Sequence, residues 1–492
     1  MSETKSSGKI DAGFWHSLFK ADTIAVIGAK DAPGTWGHDV LKAALASKMV
    51  KADRQVYAVN PGVPEVQGLR SYASVLDIPG PVELAIIVVP APVVPQVFRD
   101  CAGKKVKAAV VITAGFAEVD EDGAGLQAEL ISIAGQAGMH FTGPNCNGHV
   151  DLHSRVGSVA FAETVPAGPL ALLSQSGTLG VTIMQTAANR GIGLSKFVGT
   201  GNEADLHLED YLEYLAEDEE TSIIAAYIEG LREGRRFYEL AKEITKKKPV
   251  VVIKSGTTGS AAKAAKSHTG ALSGDDVIYA TAFKQAGVIR VEDEGELCDM
   301  VLSLRDLPLP RGNRIAILTV GGGFGVVTAE DCEKEGLEIA SLEPRTLKKL
   351  SAVLPPRWVP GNPVDLVGIL PGSKDNSGDT CLEYLLEDKN VDAVISLQPP
   401  MMLPPEHAGV TGLEEIRAMQ QGIERAQDIL YRLMKQHEKP LVYIRRLTLR
   451  AGYAANSSVP RLKLVIPEYS HPRRAARVLR LLAEYRQYLE QR

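Results

Sequence analysis

Residues 23–47, TIAVIGAKDAPGTWGHDVLKAALAS, decide the fold. A short aliphatic run (23–29) ends in Gly28-Ala29, turns through Gly34 and Gly37, and enters the helix-like segment HDVLKAALAS. A strand that is apolar on both faces and feeds a helix through a glycine turn is the unit of a parallel sheet covered by helices. The same grammar repeats at QVYAVN (55–60), LAIIVVP (84–90), AAVVITAG (108–115) and MHFTGPN (139–145), with GLQAELISIAGQAG (125–138) as a second helical segment. After the linker VPAGP (165–169) it starts again with LALLSQ (170–175), SKFVGTG (195–201), SIIAAYIEG (222–230) and PVVVIKSG (249–256). A third series follows LPLPRGN (307–313): RIAILTVGGG (314–323), VDAVISLQ (391–398) and PLVYIRR (440–446). The tail from His471 reads as one basic helix, apolar at Ala475, Ala476, Val478, Leu479, Leu481 and Leu482.

The whole chain agrees with an α/β reading. Its 492 residues are 45% hydrophobic but only 5% aromatic, and it has 46 glycines. A net charge of -6 argues against a nucleic-acid surface. No apolar run reaches the ~20 residues that span a bilayer, so no membrane segment is expected. The polar start MSETKSSGKIDAG lacks the apolar stretch of a secretory signal, and a cytoplasmic location is expected. Five scattered cysteines without a CxxC pair support neither a disulfide framework nor a zinc site, and no metal site is assigned to the chain.

In such sheets, ligands sit at the carboxyl ends of the strands. The turn from Gly28 to Gly37, containing Ala29, Pro33 and Gly34, can bring backbone amides to a phosphate at a helix start. It is not GxGxxG, and the next strand ends in Asn60-Pro61 rather than in a ribose-binding acid, which disfavours a nicotinamide dehydrogenase. Pro90-Ala91-Pro92, Thr113-Ala114-Gly115-Phe116 and Asn145-Cys146 end further strands and would rim one crevice; they also read as ordinary turns beside a buried thiol. In the second series, Ser174-Gln175-Ser176-Gly177-Thr178-Leu179-Gly180 joins a strand to a helix, as a phosphate site or simply as an N-cap. It does not fit GxSxG. Glu229 closes a strand and can orient an imidazole or pair with Arg232 or Arg235. Ser267-His268-Thr269-Gly270-Ala271-Leu272-Ser273-Gly274 puts a histidine among small residues, where neutral imidazole can attack phosphorus or simply be solvated.

Taken together, these turns resemble the CoA-binding domain of the nucleoside-diphosphate-forming acyl-CoA synthetases, a superfamily that includes succinyl-CoA synthetase and ADP-forming acetyl-CoA synthetase. SHTGALSG resembles the family's phosphohistidine loop, and SQSGTLG the helix that receives the phosphohistidine. GTGNEAD (199–205), with Gly201 and Asn202, resembles its glycine-rich segment near the phosphate. The resemblance implies a Rossmann-like CoA-binding domain (20–153) after an N-terminal extension (1–19), followed by two flavodoxin-like succinyl-CoA-synthetase domains (154–310 and 311–492). It implies that the Gly28–Gly37 turn holds the phosphates of coenzyme A, and that Pro90–Pro92 and Thr113–Phe116 shape its slot. Asn145-Cys146 would lie near the thioester, Ser176, Gly177 and Thr178 would hold phosphate, and His268, steadied by Glu229, would be phosphorylated. The third series, with Gly321–Gly325 and Asn362-Pro363-Val364-Asp365, is given no chemistry.

No P-loop GxxxxGK[ST] occurs, and no module long enough for an ATP-grasp domain is evident. The resemblance therefore implies an α-type subunit in a hetero-oligomer, with ATP or ADP and magnesium on an ATP-grasp β-type partner. A small carboxylic acid or its CoA thioester is the expected substrate; its acyl pocket would lie between the first two series, partly lined by the partner, and apolar residues such as Val181 and Phe197 do not distinguish acetate from a longer or branched acid. The acidic segment Glu209–Glu220 and the basic tail are candidate docking surfaces or merely solvated faces. A CoA-binding regulatory or scaffold protein without a catalytic partner, or a component of a CoA-dependent acyltransferase, are the alternatives.

Overall fold

The computed structural model describes residues 10–258, 275–368, 377–397, 428, 431–444 and 467–491. His268 and the rest of residues 259–274 lie outside the described residues. The chain forms two compact units, Met1–Cys298 and Asp299–Arg492.

The first unit holds two sheets. One contains β1 (Thr23–Ile27), β2 (Gln55–Val59), β3 (Glu65–Val66), β4 (Leu69–Tyr72), β5 (Leu84–Ile87), β6 (Ala108–Val111) and β7 (His140–Thr142), in the order β3-β4-β2-β1-β5-β6-β7. All pairings are parallel except the short β3–β4 hairpin. Every residue of β5 and β6 is buried, as expected of strands covered on both faces. The other sheet contains β8 (His149–Asp151), β9 (Ala167–Ser174), β10 (Leu194–Gly199), β11 (Ile223–Ile228), β12 (Val250–Lys254) and β13 (Ile289–Val291), in the order β13-β12-β11-β9-β10-β8. Only β8 runs antiparallel to its neighbour.

The expected N-terminal extension contributes α1 (Ala12–Phe19). Phe14, Trp15, Leu18 and Phe19 are buried in the main core, where Trp15 and Phe19 stack on Tyr214 at 4.6 and 5.1 Å. Beneath Phe19, the Lys196 side chain is fully buried. Its Nζ lies 2.8 Å from both Asp218 and Glu220 and 3.2 Å from Asp151. Burial alone would lower the lysine's pKa, but these carboxylates hold it above its ordinary value. Burial raises Asp151, while bonds from Lys196 overcome burial at Glu220 and bring it down to about 2. Within the acidic segment, Asp218 and Glu220 are thus turned onto the chain's own Lys196, and Asp210 and Glu213 pair with Arg236.

The second unit is a parallel sheet of β14 (Arg314–Thr319), β15 (Glu338–Ile339), β16 (Val364–Asp365), β17 (Ala393–Leu397), β18 (Leu441–Ile444) and β19 (Glu468–Tyr469). The order is β15-β14-β17-β18-β19, with β16 also paired to β14. The tail forms the helix Pro472–Glu490, whose apolar face is buried and whose Arg473 and Arg474 donate to Glu335 and Asp299 of the same unit. Among the described residues, no helix is long and apolar enough to cross a membrane.

Removing one partner from a buried ion cluster strands the others, at a cost of about 3–5 kcal/mol. Lys196→Met is therefore expected to lower unfolding stability by about that amount in urea titrations followed by circular dichroism. An unchanged midpoint would mean that the cluster does not hold α1 and β8 in place.

Candidate functional site

Each sheet of the first unit reverses its winding once. In the first, β1 is followed through a helix by β2 on one side, with β5 on the other. In the second, β9 lies between β10 and β11. A crevice opens at such switch points, beyond the strands' carboxyl ends. Here the two crevices merge into one cavity of about 680 Å³.

Two helix starts reach it. Thr35 caps α2 (Trp36–Ala46) by accepting from the His38 amide, and Gly34 precedes it at φ +77°. The approach of α2 to the strand end needs Gly37, since a Cβ there would lie 2.2 Å from the Gly28 carbonyl oxygen. In the second sheet, Ser176 caps α5 (Gly177–Asn189) by accepting from the Leu179 amide. The first amides of a helix have no partner within it and carry the positive end of its dipole, so both starts suit anions.

Of the residues singled out from the sequence, Gly34, Pro90, Thr113, Ala114, Asn145 and Cys146 line this cavity from the first sheet's side. Ser176, Gly177, Thr178, Gly201 and Asn202 line it from the second. Gly28, Ala29, Pro33, Ala91, Pro92, Gly115, Phe116 and Glu229 are not on its wall. Ala29 and Phe116 are fully buried core residues, and Gly28 takes φ +94° where a Cβ would meet the Val88 carbonyl at 2.7 Å. Cys146 donates to the Val111 carbonyl at 3.3 Å, and burial pushes its thiol up to about 12, so it is wall and not nucleophile. Phe197 is buried in β10 beneath Gly180, whereas Val181 is only partly covered. Among the described residues, no group of three or more His, Cys, Asp or Glu side chains is arranged to hold a metal ion.

Residues outside the expected set organise the rim. Glu118 folds back to accept from the amides of Gly115 (2.6 Å) and Phe116 (3.2 Å), and its other oxygen accepts from Asn202. Burial opposes its ionisation, but these donors hold it below the usual carboxylate range. Asn202 Oδ1 accepts from Asn145 Nδ2 at 3.2 Å, and its backbone carbonyl accepts from Arg232 at 2.8 Å. A glutamate three residues past a glycine turn was the available signal for Glu118; its link to Asn202, 84 residues away, had none.

Immediately before the start of α5, Gln175 borders the cavity and is buried and fully engaged. Its Oε1 accepts from the amides of Glu229 (2.6 Å) and Gly230 (3.0 Å), while Nε2 donates to the Gly230 carbonyl (2.7 Å) and to Glu203 Oε1 (3.1 Å). Lys254 Nζ donates to the Glu229 carbonyl at 2.8 Å. Glu203, at φ +52°, also accepts from Thr200 Oγ1 at 2.9 Å. Burial, reinforced by the neighbouring Glu209, pushes the Glu203 carboxyl up to about 8. An unfolded glutamate titrates near ~4.3. Between those values the folded chain holds a proton that the unfolded chain has lost, so this group's contribution to stability falls as pH rises and levels off above about 8. Glu203→Gln, which keeps the Oε1 acceptor, is expected to flatten that slope, worth at most about 1.4 kcal/mol per pH unit. Urea midpoints at pH 5.5 and 8.5 check this: equal pH differences in both proteins would mean that Glu203 is ionised in the fold.

The family model for the CoA binding domain matches residues 22–150, and the model for the succinyl-CoA ligase like flavodoxin domain matches residues 167–304. Over 456 residues the chain is 39% identical to the acetate–CoA ligase (ADP-forming) II subunit alpha of Pyrococcus furiosus, covering 92% of this chain and 94% of that one. It is 40% identical over 384 residues to the acetate–CoA ligase (ADP-forming) I of Archaeoglobus fulgidus, covering 78% of this chain and 54% of that protein. The solved dinucleotide forming acetyl-coenzyme A synthetase 1 of Ca. Korarchaeum cryptofilum, in complex with phosphate and ADP, superimposes with a TM-score of 0.81 at 31% identity, covering 97% of this chain and 98% of that one. A relative this similar over nearly its whole length, and two domain models in the same order, leave one conclusion: the chain belongs to the α-subunit family of the ADP-forming acyl-CoA synthetases.

Proposed function

We propose that this chain is the coenzyme A-binding and phosphohistidine-bearing subunit of an ADP-forming acyl-CoA synthetase, interconverting acyl-CoA, ADP and phosphate with a carboxylic acid, CoA and ATP. The observation that carries the reading is the single cavity into which both capped helix starts open. One start suits the phosphates of CoA and the other suits inorganic phosphate, so the thioester and its attacking anion meet in one place.

In this reading a phosphate oxygen, held by the amides of Gly177 and Thr178 and the Ser176 hydroxyl, attacks the thioester carbonyl. The carbon–sulfur bond breaks, CoA leaves as the thiol, and an acyl phosphate forms. A ring nitrogen of His268 then attacks phosphorus, the bond from phosphorus to the acyl oxygen breaks, and the carboxylic acid departs as carboxylate. A terminal oxygen of ADP finally takes the phosphoryl group from nitrogen. The phosphoramidate divides one transfer between separated sites into two easier ones. Glu229, at the end of β11 and buried, is assigned the role of orienting the imidazole.

The nucleotide and magnesium are assigned to an ATP-grasp partner of the β type. This is supported by the near-complete match to a relative named as an alpha subunit, against the 54% span of one named without a subunit. The domain limits 20–153, 154–310 and 311–492 belong to the same proposal.

The test is phosphorylation. With γ-labelled ATP, magnesium and the partner subunit, the chain is expected to take up an acid-labile, base-stable label. His268→Ala should abolish it while leaving CoA binding intact, and Glu229→Gln should slow it by about 10–100-fold, the range for outer groups that orient a histidine. Label retained in His268→Ala would overturn the assignment.

A further inference from the structure

The turn that follows β1 is held by two side-chain amides. Asn60, at the end of β2, donates from Nδ2 to the Ala29 carbonyl at 2.9 Å, and its Oδ1 accepts from the Gly62 amide at 2.9 Å. Where a dinucleotide fold carries an acid for a ribose, this asparagine is spent on the chain's own turn. Gln67 reaches the turn from the β3–β4 hairpin. Its Nε2 donates to the carbonyls of Lys30 (3.1 Å) and His38 (3.0 Å), and its backbone amide donates to Asp31 Oδ1 at 2.6 Å. Gln67 and Gly68 form the two-residue hairpin loop with φ of +50° and +75°, as a type I′ turn requires. Such a turn prefers asparagine, aspartate or glycine at its first position, so turn formation does not account for glutamine there. Its length does, because the side chain spans to Lys30 and to α2 together.

We infer that Asn60 and Gln67 are positioning residues that fix this turn with its amides presented to the diphosphate of CoA. The inference rests on the reading that the turn and the start of α2 hold the CoA phosphates. In a trans peptide, the carbonyl of one residue and the amide of the next point in opposite directions. Drawing the Ala29 carbonyl toward Asn60 and the Lys30 carbonyl toward Gln67 therefore turns the amides of Lys30 and Asp31 away from the two side chains. Neither amide has a partner among the described residues, and Lys30 lines the cavity. The bond from Gln67 to the His38 carbonyl ties the same turn to α2, so the amides of the turn and those of the helix start keep one spacing. The Gln67 amide also takes up the Asp31 carboxylate, which would otherwise compete with phosphate for the neighbouring amides.

Calorimetric competition on the full chain with CoA, 4′-phosphopantetheine and pantetheine tests this, since the gain of phosphopantetheine over pantetheine isolates a phosphate. Gln67→Asn keeps a residue that the turn prefers but shortens the side chain by a methylene. It is expected to leave the thermal midpoint unchanged or higher and pantetheine affinity within about twofold, while cutting the phosphate gain by about tenfold, the scale of one hydrogen bond to a charged group. Asn60→Ala, which removes the other donor, should cut the same gain. If Gln67→Asn keeps the full phosphate gain, or weakens phosphopantetheine and pantetheine equally, Gln67 serves the hairpin and not the phosphates, and the inference is overturned. If the wild-type chain binds CoA but phosphopantetheine no better than pantetheine, the turn does not receive the diphosphate, and the inference fails while the CoA reading stands. If the wild-type chain fails to bind CoA at all, the proposed function falls, and this inference with it.

Discussion

The candidate site exists because two loops from different sheets touch backbone to backbone. After β10 the amides of Asn202 and Ala204 donate to the carbonyls of Pro144 (2.9 Å) and Gly143 (3.1 Å), which follow β7. Nearby, the Gly199 amide donates to the Gly148 carbonyl at 2.8 Å. At Gly201 no side chain fits. Gly201 sits at φ +61°, and a Cβ there would be 2.3 Å from the Pro144 oxygen. Because both loops leave the carboxyl ends of their strands, this contact turns the two switch points toward each other. The merged cavity and the paired helix starts both follow from that one approach.

Much of this frame was legible. The buried parallel strands are continuous aliphatic runs, and each ends in a glycine, a proline or a polar residue, so strand ends could be placed within a few residues. The ends that mattered were those with glycine and hydroxyl residues, Gly34 and Ser176, for which the local sequence is the cause of the local structure. The remainder depends on partners far apart in sequence. Glu118 meets Asn202, and Gln175 spends all of its bonds on residues beyond position 200. Nor could an apolar side chain's role be read from its type alone. Phe197, on a strand, is core, while Val181, on the exposed side of a helix start, borders a pocket. The aromatic cluster of α1 is a similar case, since Phe14, Trp15 and Phe19 need Tyr214 to explain them.

The electrostatics around the second helix start pose a problem for any anion. Glu118 follows β6 of the first sheet and reaches Asn202 on the cavity wall, while Glu203 and Glu229 follow β10 and β11 of the second sheet and Glu209 lies in the next helix; bare carboxylates there would weaken the field of a helix terminus. The structure deals with two of them differently. Glu118 remains ionised, but its charge is directed into the amides of Gly115 and Phe116 and the side chain of Asn202, all donors fixed by the fold. Glu203 is buried where ionisation is costly, and with its carboxyl pushed up to about 8 it is mostly neutral at pH 7. Its Oε1 then serves as an acceptor that locks Gln175 and Thr200, and through Gln175 the amide of Glu229. Glu118 and Glu203 thus shape the backbone around the start of α5 without adding their full charge to it. A glutamine at position 203 would preserve that acceptor, whereas a leucine would free Gln175 and loosen both the α5 start and the end of β11. The polarity of position 203, more than its charge, is what the site requires.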